Sequence, residues 1–291
     1  MSTKLCEIKY FFVKKLPKII YGLYNKNLLF AFHGKYKNFG DQLTPVILDF
    51  YGFTTVFAHY KPKYKFSGTA QVVSIGTLLQ NTPSDFSGII LGTGADDLSL
   101  SFPCSTILAV RGKFTQSNIG MSKKTITLGD PGLLVSFIYP ENEKKTHLLG
   151  IVPHFVDKND NIIRTYERKF GDLIKIIDVQ RDPVDVIKDI KKCNNIISSS
   201  LHGLVIADAY SIPNIMYAIR KNIPPIHDHK YRDYYSAYNM GLNLIEVDGS
   251  ESLDFFLEKV TSKKDVVAPV QQELHNLFKN FKSYLKAHAP N

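Results

Sequence analysis

Between Ile196 and Pro213 the sequence places three consecutive serines just before His202. The serines follow a short apolar run, and apolar residues then recur at three-to-four spacing, which predicts a strand, a turn and a helix start. The free amides of a helix's first turn, with the positive end of its dipole, favour an anion. An imidazole beside them suits handling of a phosphate or carboxylate together with proton transfer. In the purely structural interpretation, Ser199 or Ser200 caps the helix.

Arg111 directly follows the apolar run Ile107 to Val110, so it projects from the end of a predicted strand. Its planar guanidinium suits a carboxylate or a phosphate, and a structural salt bridge to a neighbouring acid is the alternative. Gly94 closes a Gly-Thr-Gly sequence after another strand, which does not complete a dinucleotide-binding fingerprint. Asp130, in a Gly-Asp-Pro-Gly sequence, is expected to shape a turn.

A third polar segment joins the predicted strand Leu28 to Phe32 to a helix. Its candidates for contact with a hydroxylated or anionic substrate are His33, Lys35, Lys37, Asn38 and Asp41. Asn38 and Asp41 would bind substrate hydroxyls, whereas a basic residue would face an anion. In the alternative interpretation Asp41 only caps the helix, with Pro45 tolerated in the first turn.

Short apolar runs that end in glycine-bearing turns recur along the chain, with helical segments between several of them. This alternation predicts an α/β fold with parallel strands, whose ligands gather at the carboxyl ends of the strands. A polar, charged segment at residues 140–145 predicts two domains, residues 1–142 and 143–291.

Two further patterns lie in the second half. The tyrosine-dense segment 231–238, which includes Tyr234, would either line a sugar-binding cleft or cover the core, because an amphipathic ring serves both. From Val270 to Leu285 an apolar stripe predicts an amphipathic C-terminal helix that packs against a domain.

Composition narrows the class of partner. The 291 residues carry 36 basic and 27 acidic side chains, a formal charge of +9 that favours anionic ligands, an anionic membrane or nucleic acid. No zinc-finger or aromatic RNA-binding signature accompanies it, so nucleic acid is not expected. Three widely spaced cysteines argue against a disulfide framework and a metal site, and favour a reducing cytoplasm.

The N-terminal segment bears on membrane contact. No signal-peptide pattern and no apolar run long enough to span a membrane is found. Residues 10–24 mix lysines with aromatic and aliphatic side chains, which fits contact with an anionic membrane surface and equally fits packing on the protein itself.

Taken in order, these motifs resemble the polysaccharide pyruvyl transferase family. The resemblance covers about residues 28 to 240 and rests on five segments: Asn38-Phe39-Gly40-Asp41, Gly92-Thr93-Gly94, Val110-Arg111-Gly112-Lys113-Phe114-Thr115, Leu128-Gly129-Asp130-Pro131-Gly132-Leu133-Leu134 and Ser199-Ser200-Leu201-His202-Gly203. Lys113-Phe114 stand where family members often have an acidic residue or proline.

The resemblance implies two Rossmann-like domains facing a cleft, as in the GT-B glycosyltransferase architecture. It implies transfer of a pyruvyl group from phosphoenolpyruvate onto two hydroxyls of a saccharide, giving a cyclic ketal on a bacterial surface-polysaccharide precursor and releasing phosphate. No cofactor is expected beyond this donor. The acceptor would be a saccharide or a lipid-linked oligosaccharide, met in the cytoplasm or on the inner face of the cell membrane.

Site residues follow from combining this reaction with the motifs. His202 would carry protons and Arg111 would hold the donor. The remaining donor-binding candidates are Ser199, Ser200, Leu201, Gly203 and Gly94. The acceptor-binding candidates are Asn38, Gly40, Asp41, His33 and Tyr234.

Two other functions remain open on the sequence. A sugar-nucleotide-dependent glycosyltransferase of the same architecture would bind a nucleotide in the cleft, because a fold does not fix its chemistry. A non-catalytic saccharide-binding protein would bind glycans whether or not His202 is present, and would release no phosphate.

Overall fold

The structure is a computed structural model that describes five stretches of the chain: residues 10–32, 38–59, 69–140, 142–219 and 228–288. The candidates His33, Lys35 and Lys37 lie outside these stretches. Within them the strands form two parallel sheets accompanied by helices, which confirms the predicted α/β class.

The first sheet has six strands in the spatial order β2-β1-β3-β4-β5-β6. Its strands are β1 (Leu28–Phe32), β2 (Thr54–Phe57), β3 (Ala70–Val73), β4 (Ile89–Leu91), β5 (Thr106–Val110) and β6 (Thr127–Leu128). Every neighbouring pair is parallel. Parallel sheets are normally covered on both faces, and the fully buried run of β4 follows that rule.

The second sheet has five strands in the order β11-β10-β9-β7-β8, again all parallel. Its strands are β7 (His147–Val152), β8 (Ile174–Ile176), β9 (Cys193–Ser198), β10 (Asn214–Ile219) and β11 (Leu244–Val247). The apolar runs read as strands in the sequence correspond to strands of both sheets, whereas β2 and β11 were not predicted.

Helices connect the strands. In the first half they are α1 (Leu16–Tyr24), which follows a π-helical turn (Phe11–Lys15), α2 (Phe39–Phe50), α3 (Lys113–Asn118) and α4 (Val135–Ile138). In the second half they are α5 (Asn161–Phe170), α6 (Pro183–Lys191), α7 (Leu201–Ala209), α8 (His229–Ser236), α9 (Leu253–Lys259) and α10 (Lys264–Ala287). None of the helices in the described stretches combines the length and apolarity needed to cross a bilayer.

The two halves share one apolar cluster. Helix α2 of the first half contacts α6 of the second, and the 3₁₀ turn Pro131–Leu134 packs against α7. Helix α10 runs back onto the first half, where the ring centroids of Phe281 and Phe53 lie 5.1 Å apart. The residues of the amphipathic stripe predicted for this helix are therefore buried or half-buried, and they pack against elements of the predicted N-terminal domain as well as their own.

Helix α2 begins one turn earlier than the alternative interpretation of Asp41 supposed. Asn38 has extended backbone angles and its side chain accepts a hydrogen bond from the Gly40 amide at 3.1 Å, so it is the N-cap. Asp41 consequently lies inside the first turn, and Pro45 lies well within the helix rather than at its start.

Candidate active site

A cleft of about 370 Å³ opens where loops at the carboxyl ends of strands from both sheets meet, a volume typical of small-molecule sites. Residues from the first half on its wall are Phe32, Asn38, Asp41, Gly76, Thr77, Leu78, Gln80, Asn81 and Asp96. Residues from the second half are His154, Ser200, Leu201, His202 and Lys230. The carboxyl ends of parallel strands were the predicted location of a ligand, and the cleft lies there.

The start of α7 presents free donors to this cleft. Ser200 is its N-cap residue but makes no side-chain capping bond. The amides of Gly203 and Leu204 bond the Ser200 carbonyl, whereas the amides of Leu201 and His202 donate to no acceptor in the described part of the chain. Ser200 and Leu201 line the cleft, so this end of α7 has the character of an anion site.

Ser199 and Gly203, the other two predicted donor-binding residues of this turn, contact the protein interior rather than the cleft. Ser199 Oγ donates to Asp157 Oδ2 at 2.9 Å and accepts from the His154 amide. A side chain at Gly203 would collide with Ser198 Oγ, whose hydroxyl donates to the Val152 carbonyl at 2.9 Å. Neither Ser199 nor Gly203 lies on the cleft wall.

His202 lies between the two halves of the molecule. Its Nε2 is 3.6 Å from Oδ2 of the fully buried Asp130, and neither atom has a hydrogen-bond partner among the described residues. The other carboxylate oxygen of Asp130 accepts from the Gly132 amide at 2.8 Å, which is the turn-forming role predicted for it. Asp130 therefore also provides a negative charge beside the imidazole, a role that the turn sequence did not reveal.

Gly40 approaches the other edge of this ring. A Cβ at position 40 would overlap Nδ1 and Cε1 of His202. Gly40 is buried and lies off the cleft wall, so its contribution is the space it leaves for the imidazole. Its neighbours Asn38 and Asp41, both predicted acceptor-binding residues, line the same cleft as the start of α7.

Arg111 lies in the interior beneath the cleft wall, in contact with the wall residue Thr77. The side chain is fully buried, with Nε donating to Asp233 Oδ2 at 2.9 Å and Nη1 donating to Thr77 Oγ1 at 2.8 Å. Nη2 is buried and has no hydrogen-bond partner among the residues that the structure describes. Gly94 packs on the guanidinium, because a Cβ there would overlap it. The salt bridge weighed as the alternative for Arg111 is thus present, and Thr77 rather than Arg111 or Gly94 reaches the cleft.

Tyr234 is placed in the core rather than on the cleft. Its ring is fully buried and its hydroxyl donates to Asp208 Oδ2 at 2.8 Å. Tyr234 therefore covers the core and does not line the cleft, which is the second of the two interpretations of the tyrosine-dense segment.

Lys230, at the start of α8, lines the cleft and was missed by sequence reasoning. Burial, and next the positive charge of Arg111, lower the pKa of its ammonium group to about 8, while Asp96 and Asp157 act in the opposite direction. Lys230 directly precedes the tyrosine-dense segment, which is the one feature of the sequence that could have drawn attention to it. Nothing in the sequence shows that this lysine lies beside loops of the first sheet.

Within the described residues, no cluster of three or more His, Cys, Asp or Glu side chains could hold a metal ion.

Comparison with known proteins adds an independent observation. The sequence model of the family described as polysaccharide pyruvyl transferase matches residues 12–221. An uncharacterized protein of Acanthamoeba polyphaga mimivirus is 32% identical over 197 residues, covering 62% of each chain. The succinoglycan biosynthesis protein ExoV of Rhizobium meliloti (strain 1021) is 26% identical over 194 residues, covering 63% of this chain and 57% of ExoV. The chain thus spans about three-fifths of the length of these curated relatives.

Proposed function

The chain belongs to the polysaccharide pyruvyl transferase family, and we propose that it transfers a pyruvyl group from phosphoenolpyruvate onto two hydroxyls of a saccharide. The product would be a cyclic ketal on a surface-polysaccharide precursor, and the leaving group would be inorganic phosphate. The name of the ExoV relative, a succinoglycan biosynthesis protein, agrees with a role in polysaccharide biosynthesis.

The observation that carries this proposal is the juxtaposition of a free helix N-terminus with an imidazole and a carboxylate. The amides of Leu201 and His202 have no acceptor among the described residues, and both residues line the cleft, so this helix start suits an anionic group of the donor. Beside them, His202 faces Asp130 at 3.6 Å, so a proton carrier lies next to the expected anion.

The reaction needs a proton on the enol methylene, which becomes the methyl group of the ketal. One sugar hydroxyl forms a bond to the central carbon and loses its proton, and the carbon–oxygen bond to phosphate breaks. The second hydroxyl then adds to the resulting oxocarbenium-like carbon, and its proton leaves with phosphate. His202 is the proposed carrier for these protons, and the Asp130 carboxylate would stabilise the imidazolium that forms.

The acceptor is proposed to lie against the first half. Asn38 and Asp41 line the cleft, and oxygen and amide groups of this kind bind sugar hydroxyls. Because the cleft has walls from both halves, we also propose that the two sheets are arranged as in GT-B enzymes, with donor and acceptor sites on opposite sides. No cofactor enters this reaction.

The N-terminal segment supports a proposed location on the cytoplasmic face of a membrane, where a lipid-linked acceptor would be met. In residues 10–24, Phe12 is 60%, Tyr21 62% and Tyr24 86% exposed, and the segment contains lysines but no acidic residue. Exposed aromatic side chains among lysines suit an anionic bilayer, at about 1 kcal/mol per cation near the surface.

Vesicle co-sedimentation tests this location. We expect binding to vesicles containing phosphatidylglycerol, weaker binding to pure phosphatidylcholine, and loss of binding in a variant with Phe12→Ser and Tyr21→Ser. Equal recovery of wild type and variant with anionic vesicles would refute the proposed surface.

The proposed activity is tested by phosphate release in the presence of phosphoenolpyruvate and candidate saccharides, with mass spectrometry of the product. Release should depend on both substrates, and folded His202→Asn should lose about 10²- to 10⁴-fold in kcat. Stabilisation by UDP-, GDP- or CMP-sugars without phosphate release would instead indicate a glycosyltransferase. Glycan binding that is indifferent to His202→Asn, with no turnover, would indicate a saccharide-binding protein.

A further inference from the structure

We infer that Lys230 is a second anion-binding group of the cleft, so that the donor's phosphate and carboxylate are divided between Lys230 and the N-terminus of α7. The inference rests on the proposed function for the identity of the donor. Residue 230 lies beyond the segment 12–221 that the family model matches, so the family match does not assign it a role.

A donor with two anionic groups needs more than one helix terminus. Arg111, the cation expected from the sequence, is fully buried and has two of its nitrogens bonded to Asp233 and Thr77. Lys230 is on the wall of the same cleft as Ser200 and Leu201. Among the lysines and arginines of the described residues, Lys230 is therefore the one that the second half places on the cleft wall.

The Lys230 ammonium is also free to take a ligand. No carboxylate of the described residues lies within ion-pairing distance of Nζ, which lies 5.1 Å from the centroid of the Tyr231 ring. An aromatic face leaves the three N–H donors of an ammonium for another acceptor. A phosphate or carboxylate is the chemical class that such a group binds.

The charge of Lys230 depends on its surroundings. Partial burial and the nearby Arg111 lower the pKa of its ammonium group to about 8, while Asp96 and Asp157 raise it. Within the described stretches, the titratable groups on the cleft wall are Asp41, Asp96, His154, His202 and Lys230. Tyr231, the neighbour on α8, is buried, and its pKa is raised above its ordinary range, so it stays neutral.

The charge of Lys230 sets the direction in which donor affinity depends on pH. Lys230 is cationic below about pH 8 and loses its charge as the pH rises through that value. A bound anion favours the charged form, so binding near that pH takes up a proton. Donor affinity should accordingly fall as the pH rises through about 8.

Isothermal titration calorimetry of phosphoenolpyruvate from about pH 7 to about pH 9.5 tests the inference, since this range spans the Lys230 pKa and lies above the second ionisation of a phosphate ester. Inorganic phosphate is a second probe, and wild type and variants are compared with it at the same pH because its own second ionisation lies near neutral pH. Wild type should bind less tightly as the pH rises, with proton uptake seen in buffers of different ionisation enthalpy. Lys230→Met should weaken binding about 10- to 100-fold at the low end of the range. Lys230→Arg should retain binding with a flat pH profile, because arginine stays charged.

A matched control comes from the same helix. Arg232 is exposed and paired with Asp228, so Arg232→Met removes one positive charge from α8 without touching the cleft and should bind like wild type. Unchanged affinity and pH profile in Lys230→Met, or no binding of either anion to wild type, would overturn the inference. If Lys230-dependent anion binding is present but no saccharide supports phosphate release, the proposed function fails while the anion site stands.

Discussion

Two strand ends in this chain look alike in sequence and differ in the folded protein. After β9, the turn into α7 presents Ser200, Leu201 and His202 to the cleft. After β5, the turn into α3 places Arg111 in the interior, bonded to Asp233. Both are apolar strands followed by a polar residue and a short helix, yet of the two only the first has its polar residues on the cleft wall.

The difference arises from what each polar side chain meets. Asp233 lies on α8, and besides Arg111 it accepts from the amide and hydroxyl of Thr115 at 2.8 and 2.7 Å. A buried carboxylate so surrounded requires a paired cation. His202 Nε2 has no hydrogen-bond partner in the described part of the chain and lies 3.6 Å from one oxygen of Asp130, and the missing side chain of Gly40 leaves room for the ring. Arg111 thus holds α8 in place, whereas His202 lies on the cleft wall.

The largest expected effect comes from breaking the buried pair. Arg111→Met leaves Asp233 uncompensated, and we expect a loss of about 3 to 5 kcal/mol in the free energy of unfolding, measured by urea denaturation. Arg111→Lys keeps the charge but loses the planar guanidinium and its several N–H donors, so its free energy of unfolding should fall between those of wild type and Arg111→Met. If Arg111→Met is as stable as wild type but no longer binds phosphoenolpyruvate, Arg111 is a direct donor ligand and the comparison of the two strand ends is wrong.

A smaller effect, on kcat rather than on stability, is expected from a substitution of Gly40, which packs against His202. The Cβ of Gly40→Ala would overlap the imidazole and displace it, which should lower kcat by about 100-fold while the fold is kept. Gly241→Ala is the matched control, because a Cβ at position 241 has open space around it. Steady-state kinetics of both variants would decide this, and full activity of Gly40→Ala would mean that the ring position is unimportant.

The smallest effect concerns the charge behind His202. Asp130→Asn keeps an oxygen to accept from Gly132 but removes the negative charge that faces Nε2. We expect kcat to fall about tenfold, with little change in KM for the donor, because one lost electrostatic contact of this size corresponds to about 1.4 kcal/mol. A change in KM with constant kcat would instead place Asp130 in substrate binding.

The sequence was informative where local pattern decides structure. The apolar runs of β1, β4 and β9 and the helix start after Ser200 are set by nearby residues, so they were predicted correctly. Contacts between distant segments were not predictable in the same way. The partner of Arg111 is 122 residues away, and Lys230 meets the cleft only because both sheets bring their carboxyl ends together. Gly40 has no side chain to signal that it accommodates His202.

The most direct test of the account is a crystal structure with phosphoenolpyruvate bound. We expect one anionic group of the donor on the amides of Leu201 and His202, the other within reach of Lys230, and Arg111 still paired with Asp233. A donor held by Arg111 after release from Asp233, or bound away from the start of α7, would contradict it.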